Sequence, residues 1–182
     1  MRTWSAPPDN ADPVVHAVSR ESRSGGLSAD APLTARIFEV IRDIRDPEHP
    51  NTLEELAVVT PESVTETSRK RFVDVAFTPT VPHCSMASMI GLCIRKRVAD
   101  AQLLPCVGAE AATEQKEERG DTRRRLCKLR VHVVEGTHVH WQEITKQLND
   151  KERVLAALEN GALRAMVEDC IQHRPPAASD VM

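Results

Sequence analysis

The sequence contains few aromatic residues: no tyrosine, three phenylalanines and two tryptophans among 182 residues. So few rings cannot build the stacking platform on which single-stranded nucleic acids bind. The net charge of −3 and the sequence pI near 6.2 also provide no basic surface for phosphates. We therefore expect no direct binding to nucleic acid.

Long apolar runs are also missing from the sequence. No stretch approaches the roughly 18 apolar residues of a membrane span. The first residues, "MRTWSAPPDNADPVVHAVSRESRSGG", lack the apolar core of a secretory signal. The sequence therefore predicts neither membrane insertion nor secretion.

Several short motifs of common site classes are absent from the sequence. It has no phosphate loop, HExxH, GxGxxG or Ser–His–Asp order. Its five cysteines include no CxxC pair, which argues against a zinc ribbon or a local cluster motif. An odd number of dispersed cysteines is typical of free thiols in a reducing compartment. The sequence thus predicts a cytosolic protein and leaves a nuclear location open.

The composition is that of a globular protein, with 41% hydrophobic and 28% charged residues. Residues 1–29 are rich in Pro, Ser, Asp and Arg without periodicity, which predicts a disordered tail. A single domain is predicted over 30–173, followed by a flexible C-terminus at 174–182. Within the domain, 107–125 holds five acidic and five basic residues and is predicted to be a solvated insertion.

Periodic patterns predict the elements of this domain. Asp30 is the expected cap of the first helix, and Pro47 its end. A capping box of Asn149 and Glu152 is predicted to open a later helix, which Gly161 stops or kinks. Apolar residues at helical spacing predict helices at 33–44, 84–102, 141–148 and 150–160, and an amphipathic segment at 163–171.

Alternating apolar residues predict strands at 71–77 and 128–134, and a short strand is predicted at Leu56–Val59. Helices and strands are mixed along the chain without a regular βαβ repeat. The predicted fold class is α+β: one compact domain with a small mixed or antiparallel sheet and helices packed on it.

Cys84, in "TPTVPHCSMASMIG", is the first candidate for chemistry. A thiol in the opening turn of a helix lies near unpaired N–H groups, which favour the thiolate, and a protonated His83 would add positive charge. The alternative, to which the residues give equal weight, is that Cys84 is a small buried structural residue. A hydrolase using Cys84 and His83 would need an orienting group and an oxyanion site, and the sequence shows neither. The residues alone leave open a structural thiol, a nucleophile, a metal or cluster ligand, and a partner contact.

The other cysteines and two polar segments give weaker signals. Cys93 and Cys170 fall on apolar helical stripes and are predicted to be core residues. Cys106 and Cys127 flank the insertion. Carboxylates and histidine in "DIRDPEHP" and the histidines in "GTHVH" could bind a divalent metal, although a polar loop is the simpler interpretation of the first segment.

Four motifs in order, three of them long, resemble the cytosolic iron–sulfur assembly component 2 family, also called the MIP-eighteen family. They are "VIRDIRDPEHPNTLEEL" (40–56), "VAFTPTVPHCSMASMIGLCI" (75–94), "GTH" (136–138) and "KQLNDKERVLAALEN" (146–160). The resemblance covers 33–173 except 107–125.

This resemblance implies an adaptor and not an enzyme. Members act in a cytosolic targeting complex with a WD40 β-propeller partner and a HEAT-repeat partner. They help transfer [4Fe–4S] clusters to apo client proteins, including nuclear enzymes of genome maintenance and chromosome segregation. Because domain-swapped dimers occur in the family, a homodimer stays open.

The resemblance also implies functional residues. The family's reactive cysteine matches Cys84, which would contact iron or a transient iron–sulfur cluster. Thiolate ligands also suit zinc, which could substitute for iron. His83 and His138 are the candidate additional ligands or supports.

The resemblance further implies a docking surface. The loop that is similar to the family's "DPEHP" motif, together with the residue after Cys84, is expected to bind a protein partner in preference to a metal. The candidate partner-binding residues are Asp46, Pro47, Glu48, His49 and Ser85.

Overall fold

The computed structural model describes residues 13–18, 31–67, 72–104 and 128–172. Regular structure in these residues consists of α-helices, β-strands and one short 3-10 helix at Pro61–Ser63. The helices are α1 (Leu33–Ile41), α2 (Ala87–Asp100), α3 (Trp141–Leu148), α4 (Lys151–Glu159) and α5 (Gly161–Gln172); the strands are β1 (Val64–Glu66), β2 (Phe72–Phe77) and β3 (Lys128–Val133).

The three strands form one mixed sheet in the order β1-β2-β3. β2 is antiparallel to β1 and parallel to β3. The register aligns Val75 with Val64 on one side and with Val131 on the other, and all three side chains are buried. Because side chains alternate between the two faces of a strand, this apolar row fixes the register. The predicted α+β class and the two long strands are confirmed.

α2 is the central helix of the domain, because α1, α3 and α5 all pack against it. Met89, Ile90, Cys93 and Ile94 are buried along its length, which confirms the predicted stripe. α3 approaches α2 closely at Gly91, where an added Cβ would overlap the side chain of Leu148. The Pro-rich segment before α2 is thereby held at the edge of a rigid core.

The predicted strand at Leu56–Val59 is wrong. This stretch forms consecutive turns, and Ala57 has a φ of 52°. The backbone amides of Val58 and Val59 both donate to the carbonyl of Leu53, at 2.8 and 3.2 Å. Since these turns satisfy the backbone locally, the apolar side chains are buried without a sheet partner.

The predicted capping box is also wrong by one residue. Asp150 caps α4, and its carboxylate accepts the N–H groups of Glu152 and Arg153 at 3.1 and 3.2 Å. Asn149 instead bonds the edge of β3. Its Nδ2 donates to the carbonyl of Val131 at 2.7 Å, and its Oδ1 accepts the Val131 N–H at 3.1 Å. The amide therefore fastens the corner between α3 and α4 to the sheet.

The remaining boundaries agree with the predictions in part. α1 ends at Ile41, earlier than predicted, and a turn at 42–43 follows it. The predicted break at Gly161 is confirmed, because α4 ends at Glu159 and α5 begins at Gly161. No helix in the described ranges is long and apolar enough to cross a membrane.

Some predictions fall on segments outside the described residues: the Asp30 cap, the insertion at 107–125 with Cys106 and Cys127, and the C-terminus at 174–182. Within the predicted tail, 13–18 is described, and there the N–H of His16 donates to the carbonyl of Glu55 at 2.7 Å. Disorder of the tail stays a prediction.

Candidate functional site

The loop of residues 46–50, here the DPEHP loop, is built around one buried carboxylate. Asp46 is only 4% exposed. Its Oδ1 accepts the backbone N–H groups of Glu48 and His49 at 2.8 and 2.9 Å, the arrangement of an Asx turn. A bridge between Arg45 and Thr52 closes the base of the loop. The loop therefore has a defined shape that presents Glu48 to solvent.

The segment of residues 81–86, here the PHC turn, lies at the start of α2. The N–H of Cys84 donates to the carbonyl of Val81 at 3.2 Å, and the carbonyl of Pro82 accepts the N–H of Val139 at 3.0 Å. The helix begins only at Ala87. The sequence predicted Cys84 in the opening turn of the helix. The structure instead places it before the helix.

The DPEHP loop and the PHC turn meet through Glu48. The Sγ of Cys84 donates to Glu48 Oε2 over 3.6 Å, and the Oγ of Ser85 donates to Glu48 Oε1 over 2.9 Å. Cys84 is 5% exposed, whereas Glu48 and Ser85 are exposed. The structure therefore brings together one thiol, one hydroxyl and one carboxylate at the surface of the domain.

The electrostatic surroundings of Cys84 oppose ionisation. Burial raises the pKa of this thiol to about 11, and the charge of Glu48 and its hydrogen bond act in the same direction. A backbone hydrogen bond from Met86 opposes the rise without cancelling it. The expectation of a thiolate favoured by the helix start is therefore wrong for the chain alone, because burial and the carboxylate dominate. Cys84 is a protonated thiol at neutral pH.

His138 supports the main chain of Cys84. The imidazole is buried, and its Nε2 lies 3.1 Å from the carbonyl oxygen of Cys84. Its Nδ1 accepts the N–H of His140 at 3.0 Å, so Nε2 carries the proton and donates to the carbonyl. Both ring nitrogens are therefore engaged: Nε2 bonds the PHC turn, and Nδ1 bonds the main chain of His140. His83 is exposed beside Cys84. A ligand role for either histidine stays a prediction.

The candidate partner-binding residues differ in accessibility. Glu48 and Ser85 are exposed, and Pro47 and His49 are half-buried. Asp46 is enclosed and uses its carboxylate to shape the loop. Partner binding by all five residues stays a prediction, and the buried position of Asp46 also gives it a supporting function within the loop.

A cleft of about 180 Å³ lies beside the DPEHP loop, between it and α5. Arg45, His49, Asp169 and Cys170 contribute to its walls, with Glu48. The N–H of Arg45 donates to the carbonyl of Cys170 at 3.0 Å and so joins the loop to α5. No sequence signal indicated this cleft, because its two walls are far apart in the chain.

The donor atoms of the site could supply some of the ligands of a metal that another molecule also binds. In the part of the chain that the structure describes, no three His, Cys, Asp or Glu side chains are grouped to hold a metal ion. Cys84 and Glu48 nevertheless offer one sulfur and one carboxylate pair in contact. Such a pair supplies part of a coordination shell, and other molecules would have to supply the rest.

Known proteins are similar to this chain over most of its length. The model of a family described as iron–sulfur cluster assembly proteins matches residues 34–103. Protein AE7-like 1 of Arabidopsis thaliana is 43% identical over 167 residues, covering 89% of this chain and 93% of the relative.

Two animal proteins match over similar lengths. Cytosolic iron-sulfur assembly component 2B of Mus musculus is 40% identical over 171 residues, covering 91% of this chain and 92% of the relative. A MIP18 family protein of Caenorhabditis elegans is 41% identical over 172 residues, covering 90% and 94%. With this identity over nearly the whole of both chains, the protein belongs to the MIP18 family of iron–sulfur cluster assembly proteins.

Proposed function

We propose that this protein is a non-catalytic adaptor of the cytosolic iron–sulfur assembly machinery that helps transfer [4Fe–4S] clusters to apoproteins. Its cargo would be the cluster, or iron, and zinc could take the same thiol. Family membership and the name of the mouse relative support a cytosolic role in cluster assembly. A nuclear pool would follow from service to nuclear client enzymes.

The observation that carries this proposal is the contact between Cys84 and Glu48. Two motifs that are 36 residues apart in sequence meet through a thiol and a carboxylate 3.6 Å apart. Cys84 is itself only 5% exposed, but it contacts the exposed Glu48 from a turn that His138 holds in place. A transferred cluster needs a soft sulfur ligand that a second protein can reach.

The raised pKa of Cys84 gives the site a defined chemistry. The neutral thiol is a poor nucleophile and a poor ligand, so it is protected from side reactions while no cluster or iron is bound. An approaching iron centre favours the thiolate, so the proton must leave as the Fe–S bond forms. Glu48 lies where it can accept that proton. Transient binding then follows, because protonation of the thiol assists release.

Partner recognition is assigned to the exposed side chains around this site. Glu48 and Ser85, with the half-buried Pro47 and His49, form one continuous edge of the DPEHP loop and the PHC turn. We propose that a WD40 β-propeller protein and a HEAT-repeat protein bind the adaptor and that apo clients approach Cys84. Asp46 would contribute by holding the loop in shape. Assembly into a homodimer is compatible with this function.

Two alternatives make different demands on Cys84. In a pure interaction module Cys84 never contacts metal, and its hydrogen bond to Glu48 serves only to join the two segments. A cysteine-dependent hydrolase would need a base that ionises the thiol, whereas the neighbouring carboxylate raises its pKa. The interaction module is therefore the stronger alternative.

The decisive experiment is anaerobic cluster reconstitution of the full chain and of Cys84→Ser. Iron, sulfide and ultraviolet–visible absorption report cluster binding, and activity of an apo [4Fe–4S] enzyme incubated with the loaded protein reports transfer. We expect cluster binding and transfer from the wild type, and loss of both in the variant. Cys170→Ser is the matched control and should retain both.

A pull-down with the β-propeller partner separates the alternatives. Partner binding that is kept in Cys84→Ser while client maturation is lost supports contact with the cluster. If the wild type and Cys84→Ser support client maturation equally, only the interaction module remains as an interpretation. A Glu48→Ala variant that still binds the propeller protein normally would contradict the docking assignment of the loop.

A further inference from the structure

The thiol of Cys84 is covered in the folded chain. Its side chain is only 5% exposed, and on the inner side it belongs to the apolar core cluster. Its Sγ donates to Oε2 of the exposed Glu48 over 3.6 Å. Because the core closes the inner side, the Glu48 carboxylate lies between the thiol and the solvent. A molecule that reacts with Cys84 must therefore pass Glu48 or wait for the main chain to move.

The main chain around Cys84 is held by several hydrogen bonds. The carbonyl of Cys84 lies 3.1 Å from Nε2 of the buried His138, and the N–H of Cys84 donates to the carbonyl of Val81 at 3.2 Å. The carbonyl of Pro82 accepts the N–H of Val139 at 3.0 Å. A displacement of the PHC turn would leave these backbone groups without their partners, which costs free energy wherever water cannot replace them.

The main chain of the DPEHP loop is held in a similar way. The carboxylate of Asp46 is buried and accepts the N–H groups of Glu48 and His49, at 2.8 and 2.9 Å. The N–H of Asp46 donates to the carbonyl of Asn51 at 2.9 Å. The loop therefore fixes the Cα of Glu48, from which the side chain extends to Cys84.

The Glu48 side chain is held more weakly than either main-chain segment. The Oγ of Ser85 donates to its Oε1 at 2.9 Å, but this hydrogen bond is exposed, so water can replace it. The second contact comes from the thiol of Cys84, which is a weak donor. Exposed side chains change rotamer within picoseconds to nanoseconds. Rotation of the Glu48 side chain is therefore the least costly way to uncover Cys84.

We propose that the Glu48 side chain is a gate for Cys84: it covers the thiol in the resting chain and rotates into solvent to admit a reactant, while both main-chain segments stay in place. The gate explains how a buried thiol becomes reachable without local unfolding. Its role in cluster transfer rests on the function proposed above. The gate itself does not, because any thiol reagent would meet it.

The first test uses the wild-type full chain, iodoacetamide as a neutral thiol reagent, and peptide mass spectrometry to follow each cysteine. A side-chain rotation exposes little new surface, so the rate at Cys84 should not change with urea below the unfolding transition. Cys93, which is fully buried in α2, is the control within the same chain. Its rate should rise with urea, because the reagent reaches it only after local or global unfolding. A Cys84 rate that rises in parallel with that of Cys93 would overturn the gate.

The second test compares two variants that both lack the charge of Glu48. Glu48→Ala removes the cover, whereas Glu48→Gln keeps nearly the same size and shape. Rates measured over a range of pH separate ionisation from access, because the inflection reports the pKa of Cys84 and the plateau reports access to its thiolate. We expect a plateau about tenfold higher in Glu48→Ala than in Glu48→Gln, since only the alanine loses the closing contacts. Equal plateaus would overturn the gate.

The controls for the second test address the fold and the function. Glu159→Ala, at an exposed position in α4, should react like the wild type, and circular dichroism verifies the fold of each variant. Neither test uses iron or sulfide. A failed cluster reconstitution would therefore reject the proposed function and leave the gate in place, whereas equal plateaus would reject the gate alone.

Discussion

Cys84 and Cys93 are both almost inaccessible to solvent, yet their surroundings prepare them for different chemistry. Cys84 lies in a turn at the domain edge, where its hydrogen-bond acceptor is the exposed carboxylate of Glu48. Cys93 lies in the central helix, where apolar core residues enclose it. The exposed fraction of a cysteine therefore does not determine its reactivity by itself, because the neighbouring groups and the path to solvent decide what can reach the thiol.

The largest expected difference concerns stability. Cys93→Ser places a hydroxyl in the apolar core between α2 and α5 and should lower the free energy of unfolding by about 2 kcal/mol. Cys84→Ser keeps a donor that can bond Glu48, so it should lower the free energy of unfolding by less than about 1 kcal/mol. Urea denaturation followed by circular dichroism measures both. Equal losses would contradict the distinction between an edge thiol and a core thiol.

A pH effect of similar size should be specific to Cys84. Its pKa is raised in the folded chain from an ordinary value of 9.0 to about 11. Below pH 9 the thiol is protonated in both states, and its contribution to stability is fully present. As the pH rises from 9 to 11 the unfolded chain ionises first, so up to about 2 kcal/mol of stability is lost.

The control for this pH effect is Cys84→Ser, in which the other titrating groups remain. The difference in unfolding free energy between wild type and variant should change between pH 9 and 11. A difference that stays constant across that range would show that the folded and unfolded pKa values of Cys84 are the same.

A kinetic effect should follow from Glu48→Gln. Removing the charge lowers the pKa of Cys84, so more thiolate is present at pH 7.5. Each unit of lowered pKa increases the reaction rate with an aromatic disulfide roughly threefold, since lower basicity offsets part of the tenfold gain in thiolate. Peptide mapping of modified Cys84 over time measures the rate. Glu159→Gln, at an exposed position in α4, is the matched control and should react like the wild type.

The smallest effect is expected from Ser85→Ala. The Ser85 hydroxyl holds Glu48 Oε1 at 2.9 Å, but this hydrogen bond is exposed to solvent. Its loss lets the carboxylate rotate toward water, and the Cys84 rate should rise by less than about twofold. The same disulfide assay reports it, and the rate at Cys93 should not change. A Ser85→Ala rate above that of Glu48→Gln would mean that Ser85, and not Glu48, controls the thiol.

The failed sequence predictions share a cause that is visible in two segments. At Leu56–Val59 the apolar residues satisfied a strand pattern, but turn hydrogen bonds to Leu53 provided a local alternative. Asn149 was expected to cap α4, but the neighbouring Asp150 caps it, and the Asn149 amide bonds the main chain of β3 instead. Both outcomes depend on which backbone groups a segment meets after folding, and single-sequence patterns do not contain that information.

The candidate site was predictable in its parts and not in its assembly. Sequence motifs indicated Cys84, His138 and Glu48, and the structure brings all three to one place. The sequence assigned Asp46 to the docking surface, which stays a prediction, and the structure adds that its buried carboxylate supports the loop from within. The cleft beside the DPEHP loop had no sequence signal.

The sequence by itself determined the family, the two long strands and the apolar stripe of α2, because these depend on residue order and on side-chain periodicity. Only the tertiary structure decided the protonation of Cys84, the use of His138 as a main-chain support and the contact between Cys84 and Glu48. The physical reason is that a pKa and a hydrogen bond depend on distance through space. Glu48 lies 36 residues from Cys84 along the chain and 3.6 Å from it in the fold.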